Sequence, residues 1–269
     1  IVAIGAPRND GNGIDSGHVR IYKNLNNTWT QVGSDIDGEA AGDNSGYSVS
    51  LSADGSVVAI GAKHNDGNGI HSGHVRIYKD VNNSWTQVGS DIDGEAANDF
   101  SGYSVSLSSD GSVVAIGTWK TSGSVKGLVS IYKNVNDTWT QIGSDIDGEA
   151  YKDLMGTSVS LSSDGSVVAI GAPDDYIAGT DGVGHNGYVK IYQNINNTWT
   201  QVGSKIDGVS GWDFFGEHVS LSADGSSVAI GADGNDGNGA QSGHVQIYQI
   251  TYSTGTTLSE LKALAYIAS

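Results

Sequence analysis

The chain of 269 residues contains no cysteine, which removes disulfides, thiol nucleophiles and thiolate metal sites together and leaves the redox compartment open. Basic residues are scarce, 13 Lys and Arg against 30 Asp and Glu, for a net charge of −17. That balance argues against binding nucleic-acid backbones or docking on anionic lipid, both of which need clustered cations. Cations and basic partners fit it better. No window of about 18 apolar residues occurs, so no membrane-spanning helix is expected. Catalytic motifs are missing as well: no serine sits in G-x-S-x-G, and no glycine-rich loop ends in Lys-Ser or Lys-Thr. The seven histidines, His18, His64, His71, His74, His185, His218 and His244, form no H-x-x-x-H or H-E-x-x-H pair and read as strand-edge residues. With Ile1 in place of Met and no charged-then-apolar leader, any secretion signal is expected to have been removed or to lie outside this sequence.

Only two prolines accompany forty glycines, a balance that would suggest disorder if the glycines had no period. They do have one. The stretch Tyr47 to Gly102 recurs, whole or clipped, five times. Its Ile-Gly pair falls at Ile4, Ile60, Ile116, Ile170 and Ile230, at intervals of 56, 56, 54 and 60 residues. A fixed period of that size signals a repeat architecture. One domain over 1–269 is expected, with repeats at roughly 1–46, 47–102, 103–156, 157–216 and 217–269.

Each repeat holds four runs, A to D, with the alternation and β-branched content of strands. In the second copy they lie at about Tyr47 to Ser52, Ser56 to Gly61, Gly73 to Lys79 and Ser84 to Gly89. Asp-Gly at the A–B junction (Asp54-Gly55, Asp110-Gly111, Asp164-Gly165, Asp224-Gly225) signals a tight hairpin. The B–C link carries N-D-G-N-G in copies one, two and five and is replaced in copies three and four. The C–D link is an Asn-rich turn, and the link to the next repeat begins S-D-I-D-G-E-A.

This pattern predicts an all-β fold, a β-propeller of about five four-stranded antiparallel blades. Small residues in runs A and B suit the crowded axis, and Trp29, Trp85, Trp139 and Trp199 of run D fill the splayed rim. Copy one lacks run A, and copy five lacks a Trp-bearing run D. Two readings of the tail follow. Thr257 and Glu260 fit a capping box ahead of a short C-terminal helix. Alternatively the tail supplies an outer strand, and Ala263 to Ser269 closes the ring as the missing inner strand of blade one.

Along nearly its whole length the chain resembles the FG-GAP repeats of the integrin α-subunit propeller. The resemblance is carried by Phe215-Gly216, by Gly5-Ala6-Pro7 and Gly171-Ala172-Pro173, and by G-H-V-R-I-Y at Gly17 to Tyr22 and Gly73 to Tyr78. It implies an extracellular propeller in adhesion or recognition, although integrin propellers have seven blades and five copies are present here. The family's calcium hairpin D-x-D-x-D-G is here the short S-x-D-G-S, and one carboxylate cannot supply six to eight oxygens. Those calcium sites are not carried over.

Antiparallel strands put the A–B and C–D turns on one face of the disc and the B–C and D–A links on the other. The C–D turns hold four N-x-[ST] acceptors, Asn26, Asn82, Asn136 and Asn196, which point to glycosylation on a eukaryotic secretory route; the bland alternative is that Asn simply makes the turn. The opposite face gathers acid. Asp37, Asp93, Asp147 and Asp207 recur in every D–A link, as do Asp43, Asp99, Asp153 and Asp213. Repetition in every blade favours a loop-scaffolding role, with weak calcium binding as the alternative. Asp10 and Asn12 of N-D-G-N-G, with Asp15 two residues beyond it, are read the same way, as a compact reversal before a calcium loop. Trp212, Phe214 and Phe215 are the candidate contact patch, against the reading that they pack beneath their own loop. The expected function is a non-catalytic extracellular structural or adhesion module with a protein or glycan partner. The alternatives are a lectin-like or calcium-assisted binding propeller and a filament subunit assembled by strand donation.

Overall fold

In each copy the alternating runs fold as an antiparallel meander, and the five meanders are five separate sheets. Blade one comprises β1 (Val2–Ala6), β2 (His18–Leu25), β3 (Thr28–Gln31) and β4 (Ile36–Asp37); blade two comprises β5 (Ser48–Leu51), β6 (Val57–Ala62), β7 (His74–Asp80), β8 (Trp85–Gln87) and β9 (Ile92–Asp93). Blade three is β10 (Ser101–Leu107), β11 (Val113–Thr118), β12 (Leu128–Val135), β13 (Thr138–Gln141) and β14 (Ile146–Asp147). Blade four is β15 (Ser158–Leu161), β16 (Val167–Ala172), β17 (Tyr188–Ile195), β18 (Thr198–Gln201) and β19 (Ile206–Asp207). Blade five is β20 (His218–Leu221), β21 (Ser227–Ala232), β22 (His244–Ile250) and β23 (Leu261–Lys262). The computed structural model describes residues 1–120, 126–150, 152–173, 186–251 and the strand at 261–262. The replaced B–C loops of copies three and four fall largely outside these residues. So do His185, Thr257, Glu260 and Ala263 to Ser269, and with them the proposed cap and clasp. Among the described residues there is no helix, and Leu261–Lys262 pairs with Gln249 and Ile250 as a short outer strand of blade five.

The hairpins follow from their turn residues. At the C–D turn both central residues have positive φ, 51° and 63° at Asn26 and Asn27 and 52° and 63° at Asn196 and Asn197. This is the type I′ geometry that Asn tolerates and that matches strand twist. At the A–B turn the reversal is a four-residue loop, Ala53 to Ser56, closed by the Ser52 N–H to Val57 O bond; within it Gly55 N–H donates to Ser52 O at 2.9 Å, and Gly55 takes φ +72°. Ser52 Oγ and Ser56 N–H both donate to Asp54 Oδ1. These bonds, the Ser56 amide foremost, hold the Asp54 carboxyl below the usual carboxylate range.

The outer strand is longer than the sequence suggests, because the chain bulges out after Gln31, Gln87, Gln141 and Gln201 and then returns to the sheet. Val75 pairs with Ile92 and His74 with Asp93, so the stretch expected to begin the link is still strand. Burial of Ile36, Ile92, Ile146 and Ile206 supplies the reason.

Each sheet has two apolar faces, since β6 is buried at all six positions. Val57, Ala59, Val75 and Ile77 face forward onto Val114 and Ile116 of blade three, while Val58, Ile60 and Tyr78 face back onto Val19 and Ile21 of blade one. Equivalent clusters join blades three to four and four to five. Three polar contacts fix the register between blades. Trp85, Trp139 and Trp199 indole N–H groups donate to Val32, Val88 and Ile142 carbonyls of the preceding blade at 2.8–2.9 Å. Ser48, Ser104 and Ser158 hydroxyls donate to the Gly102, Gly156 and Gly216 carbonyls of the following blade. Near the axis, the Ala53, Ser109 and Ser163 amides donate to Ser109, Ser163 and Ala223 carbonyls, each at 2.8 Å.

The backbones meet where Gly61, Gly117 and Gly171 lie against those same glycine carbonyls, and a Cβ at any of the three would overlap the oxygen. Replacing Gly117 with Ala is therefore expected to lower stability by about 3 kcal/mol or more, since backbone on backbone cannot be relieved by a rotamer change. In Gly231→Ala the added Cβ meets nothing nearer than His218 Cβ at 3.4 Å, and stability should stay within about 1 kcal/mol of the parent. Urea midpoints for the two variants measure the contrast.

Candidate functional site

The two ends of each strand meet different chemistry. On the turn face blades two to five repeat the same S-x-D-G-S reversal, whereas on the loop face the four clefts between blades hold different side chains. They are built from the first and third residues of the strand that follows the B–C loop, from the outer strand where it returns, and from the Glu of the G-E-A link.

Between blades one and two, the Arg76 guanidinium on β7 crosses the interface. It donates from Nη2 to the Asp37 carbonyl at 2.8 Å and lies 3.3 Å from Glu39. His74, 1% exposed, has Nδ1 at 3.6 Å from Asp91 and at 4.0 Å from both Glu39 and Asp93. Burial, reinforced by the Arg76 charge, pushes its pKa down to about 4 against the opposing pull of Asp91 and Asp43. Partial desolvation in the cleft likewise raises Glu39 and Asp93, although both carboxylates keep nearly half of their side-chain surface exposed. The imidazole is thus neutral at physiological pH.

Between blades two and three, Leu128 and Ser130 replace that His and Arg. Lys120 lies 3.6 Å from Glu95 and 3.8 Å from Asp99, and the Ser130 hydroxyl donates to Asp145 at 2.6 Å. Between blades three and four the positions become Tyr188 and Lys190. The Tyr188 hydroxyl donates to Asp153 at 2.7 Å, and burial with that bond raises its pKa. Lys190 bonds Glu149 at 2.7 Å, and Lys205 sits 3.0 Å from Asp207 and 4.9 Å above the Tyr188 ring.

The acidic residues singled out by repetition divide. Asp43, Asp99, Asp153 and Asp213 are buried. Asp43 accepts from the Ala40 amide and Asn65 side chain, Asp99 from Ala96, Asp153 from Glu149 and Ala150, and Asp213 from Asn235. Their oxygens are committed to loop groups. Asp10 accepts from the Asp15 amide, and Asn12 donates to Gly38 and Glu39 carbonyls, so N-D-G-N-G braces the adjacent link. Asp37, Asp93, Asp147 and Asp207 are exposed.

Among the described residues two groups place three ligand atoms together, His18 with Asp35 and Asp37, and Glu39 with His74 and Asp91. Each already has a guanidinium on a carboxylate, Arg20 on Asp35 and Arg76 on Glu39. Neither offers the six to eight oxygens that calcium takes. The arrangement is one of compensated ion pairs.

Asn26, Asn82, Asn136 and Asn196 are exposed turn tips. The aromatic trio does not form one patch: Phe215 is 1% exposed in the core between blades four and five, whereas Trp212 is half exposed. A different aromatic group lies on the loop face of blades two and three. Lys63 Nζ sits 3.4 Å from the Tyr47 ring centroid, Tyr103 lies between Tyr47 and Trp119 with centroids at 5.2 and 5.1 Å, tilted to the first and edge-on to the second, and Phe100, His64 and His71 continue the cluster. The available signal was that Trp119 occupies a position held by Pro7, Lys63, Pro173 and Asp233 in the other copies.

No family model matches the chain, and no curated protein sequence does. Among solved structures, a hypothetical selenium-binding protein from Sulfolobus tokodaii is similar with a TM-score of 0.56 and 11% identity, over 97% of this chain and 62% of that one. A eukaryotic initiation factor follows at TM-score 0.50 and 11% identity, over 99% of this chain and 52% of that one. The β-propeller domain of the Trilobed protease from Pyrococcus furiosus has a TM-score of 0.47 and 12% identity, over 92% and 62%. The chain thus spans about half to three fifths of these neighbours. The likeness is one of fold, the β-propeller, and at such identity it carries no activity with it.

His74 makes the cleft between blades one and two pH-sensitive. Its folded pKa of about 4 lies below the unfolded value of 6.5, so between those values the unfolded chain binds the extra proton and stability falls as pH drops. On its own this amounts to on the order of 3 kcal/mol, partly offset by the raised carboxyls of Glu39 and Asp93. His74→Gln should flatten the slope of unfolding free energy between pH 6.5 and 4, and urea titrations across that range measure it.

Proposed function

We propose that this propeller is a non-catalytic recognition module of the adhesive kind, acting outside the cell and engaging a protein or glycan partner through its loop face. The observation that supports this reading is where the copies of one repeat have diverged. The turns are nearly the same in each blade that has them, and the loop face carries the single-copy features: the Tyr47, Lys63, Tyr103 and Trp119 cluster and the Tyr188, Lys190 and Lys205 cleft. Side chains that a blade needs for its own fold should recur, and those that select a partner need not. Partly exposed aromatic rings beside a cation offer stacking surface to a sugar ring or an aromatic side chain. The resemblance to FG-GAP repeats supports the extracellular and adhesive part. Glycans on Asn26, Asn82, Asn136 and Asn196 would sit on the opposite face and leave the loops open.

The test is binding of the labelled chain to an array of glycans and extracellular-matrix proteins, with and without calcium. The expected outcome is a hit that Trp119→Ala or Lys190→Glu with Lys205→Glu weakens at least tenfold and that Ser112→Ala on the turn face leaves unchanged. Binding that depends on the turn face, or no binding to either class, contradicts the reading.

A further inference from the structure

Blades one and two share a local pattern, in which the strand after the B–C loop opens with histidine and carries arginine two residues on: His18 and Arg20 on β2, His74 and Arg76 on β7. Each histidine pairs with the returning outer strand, at Asp37 and at Asp93. The arginines, however, go different ways. Arg20 lies along its own blade and bonds both oxygens of Asp35 at 2.7–3.0 Å. Arg76 turns to the preceding blade, with Nη2 on the Asp37 carbonyl and Nη1 near Glu39 Oε1. Among the described residues no lysine or arginine then lies within 4 Å of Asp91 or Asp93. His74 faces these carboxylates with nothing to bond. Its Nε2 is buried without a partner, and its Nδ1 lies 3.6 Å from Asp91 Oδ2 and 4.0 Å from Glu39 Oε2 and Asp93 Oδ1, beyond hydrogen-bond reach in each case. The ring is neutral, so these contacts are not ion pairs either. The fold does not require histidine here, because Leu128 holds the same place in blade three. A side chain 1% exposed and aimed at three carboxylates it cannot bond calls for another explanation.

We propose that Glu39, His74 and Asp91 bind a divalent transition-metal ion of the zinc class, which ties the link leaving blade one to blade two. One ligand atom from each of the three lies within 4.8 Å of the others. Around a tetrahedral zinc with bonds of about 2.0–2.1 Å the ligand atoms stand about 3.4 Å apart. Small rotations of the partly exposed Glu39 and Asp91 carboxylates reach that spacing while the buried imidazole stays in place. Charge fits as well. Glu39, Asp91 and Asp93 against the single Arg76 guanidinium leave two negative charges, which a divalent ion cancels. Both ligand carboxylates keep the partners that orient them, since Arg76 sits on Glu39 Oε1 and Gln87 donates to Asp91 Oδ1, and the oxygens facing His74 are the other two. Water takes the fourth position, next to Asp93. A neutral imidazole with carboxylate oxygens suits zinc and its neighbours, whereas calcium and magnesium take oxygen alone and more of it. The site differs from the blade-one group in one respect that matters: there Arg20 already occupies both oxygens of Asp35.

Equilibrium dialysis of the full chain against zinc chloride tests this, on protein stripped with a chelator and free of any histidine tag, with the metal counted by mass spectrometry. The expected result is one zinc per chain, bound at least tenfold more tightly than calcium or magnesium, and a urea midpoint that rises when zinc is added. His74→Leu, which copies the residue of blade three, and Asp91→Asn should each weaken zinc binding at least tenfold and remove that rise. Near-UV circular dichroism of the metal-free variants, unchanged from the parent, shows that they fold. Asp91→Asn alters a side chain 28% exposed and carries the test alone should His74→Leu not fold. Two controls address the other histidine groups: Asp35→Asn beside His18, and His71→Ala in the His64–His71 pair, should leave zinc binding as it is in the parent. Less than one zinc per chain, binding that survives in a folded His74 or Asp91 variant, binding lost in either control, or equal affinity for calcium overturns the proposal.

Discussion

The structure depends on one constraint: a sheet of this repeat is apolar on both faces and cannot cover either alone. A hairpin or single meander of such strands would leave Val58, Ile60, Val75 and Ile77 in water, forgoing burial worth about 1.5–3 kcal/mol per side chain. Copies of itself solve the problem, because the forward face of one blade matches the back face of the next. The close approach of Gly61, Gly117 and Gly171 to glycine carbonyls of the following blade sets the spacing near the axis. The Trp indoles, each bonded to the preceding blade, set it at the rim. Between the two the angle of each blade is fixed, and the clefts on the loop face inherit their geometry from it.

Strand direction then separates structure from specificity. On the turn face the Asp54 carboxylate and its equivalents satisfy the amides and serines of their own hairpins, and those Ser, Asp and Gly residues repeat without change. The loop face spans two blades, and its ion pairs join residues far apart in sequence, as Arg76 joins Glu39 and Lys190 joins Glu149. A cleft built in this way can exchange His and Arg for Leu and Ser, or for Tyr and Lys, without disturbing the sheet beneath.

Much of the fold was legible from the period. The Ile-Gly spacing, the Asp-Gly and Asn-Asn turns and the alternation of Val, Ile and Ser place the strands within a residue or two. What escaped has physical reasons. The two-residue return of the outer strand at Ile92–Asp93 is too short to show an alternation. The His74 cleft draws its partners from different copies, and a repeat alignment places those partners in different rows. For Phe215 the sequence left a contact patch and packing beneath its own loop as alternatives, because it does not show that this residue fills a core position held elsewhere by Ser45, Ser101 and Met155. Nor does a period give the angle between blades.

Hydrogen exchange of the dilute chain, read by peptide, tests radial packing most directly, because local opening is governed by how much apolar surface each blade keeps covered. The account predicts slowest exchange in the middle strands β11 and β16, which have neighbours on both faces, and faster exchange in β1, β21 and β22, which have one. Uniform protection along the chain, or slowest exchange in the terminal blades, would contradict it.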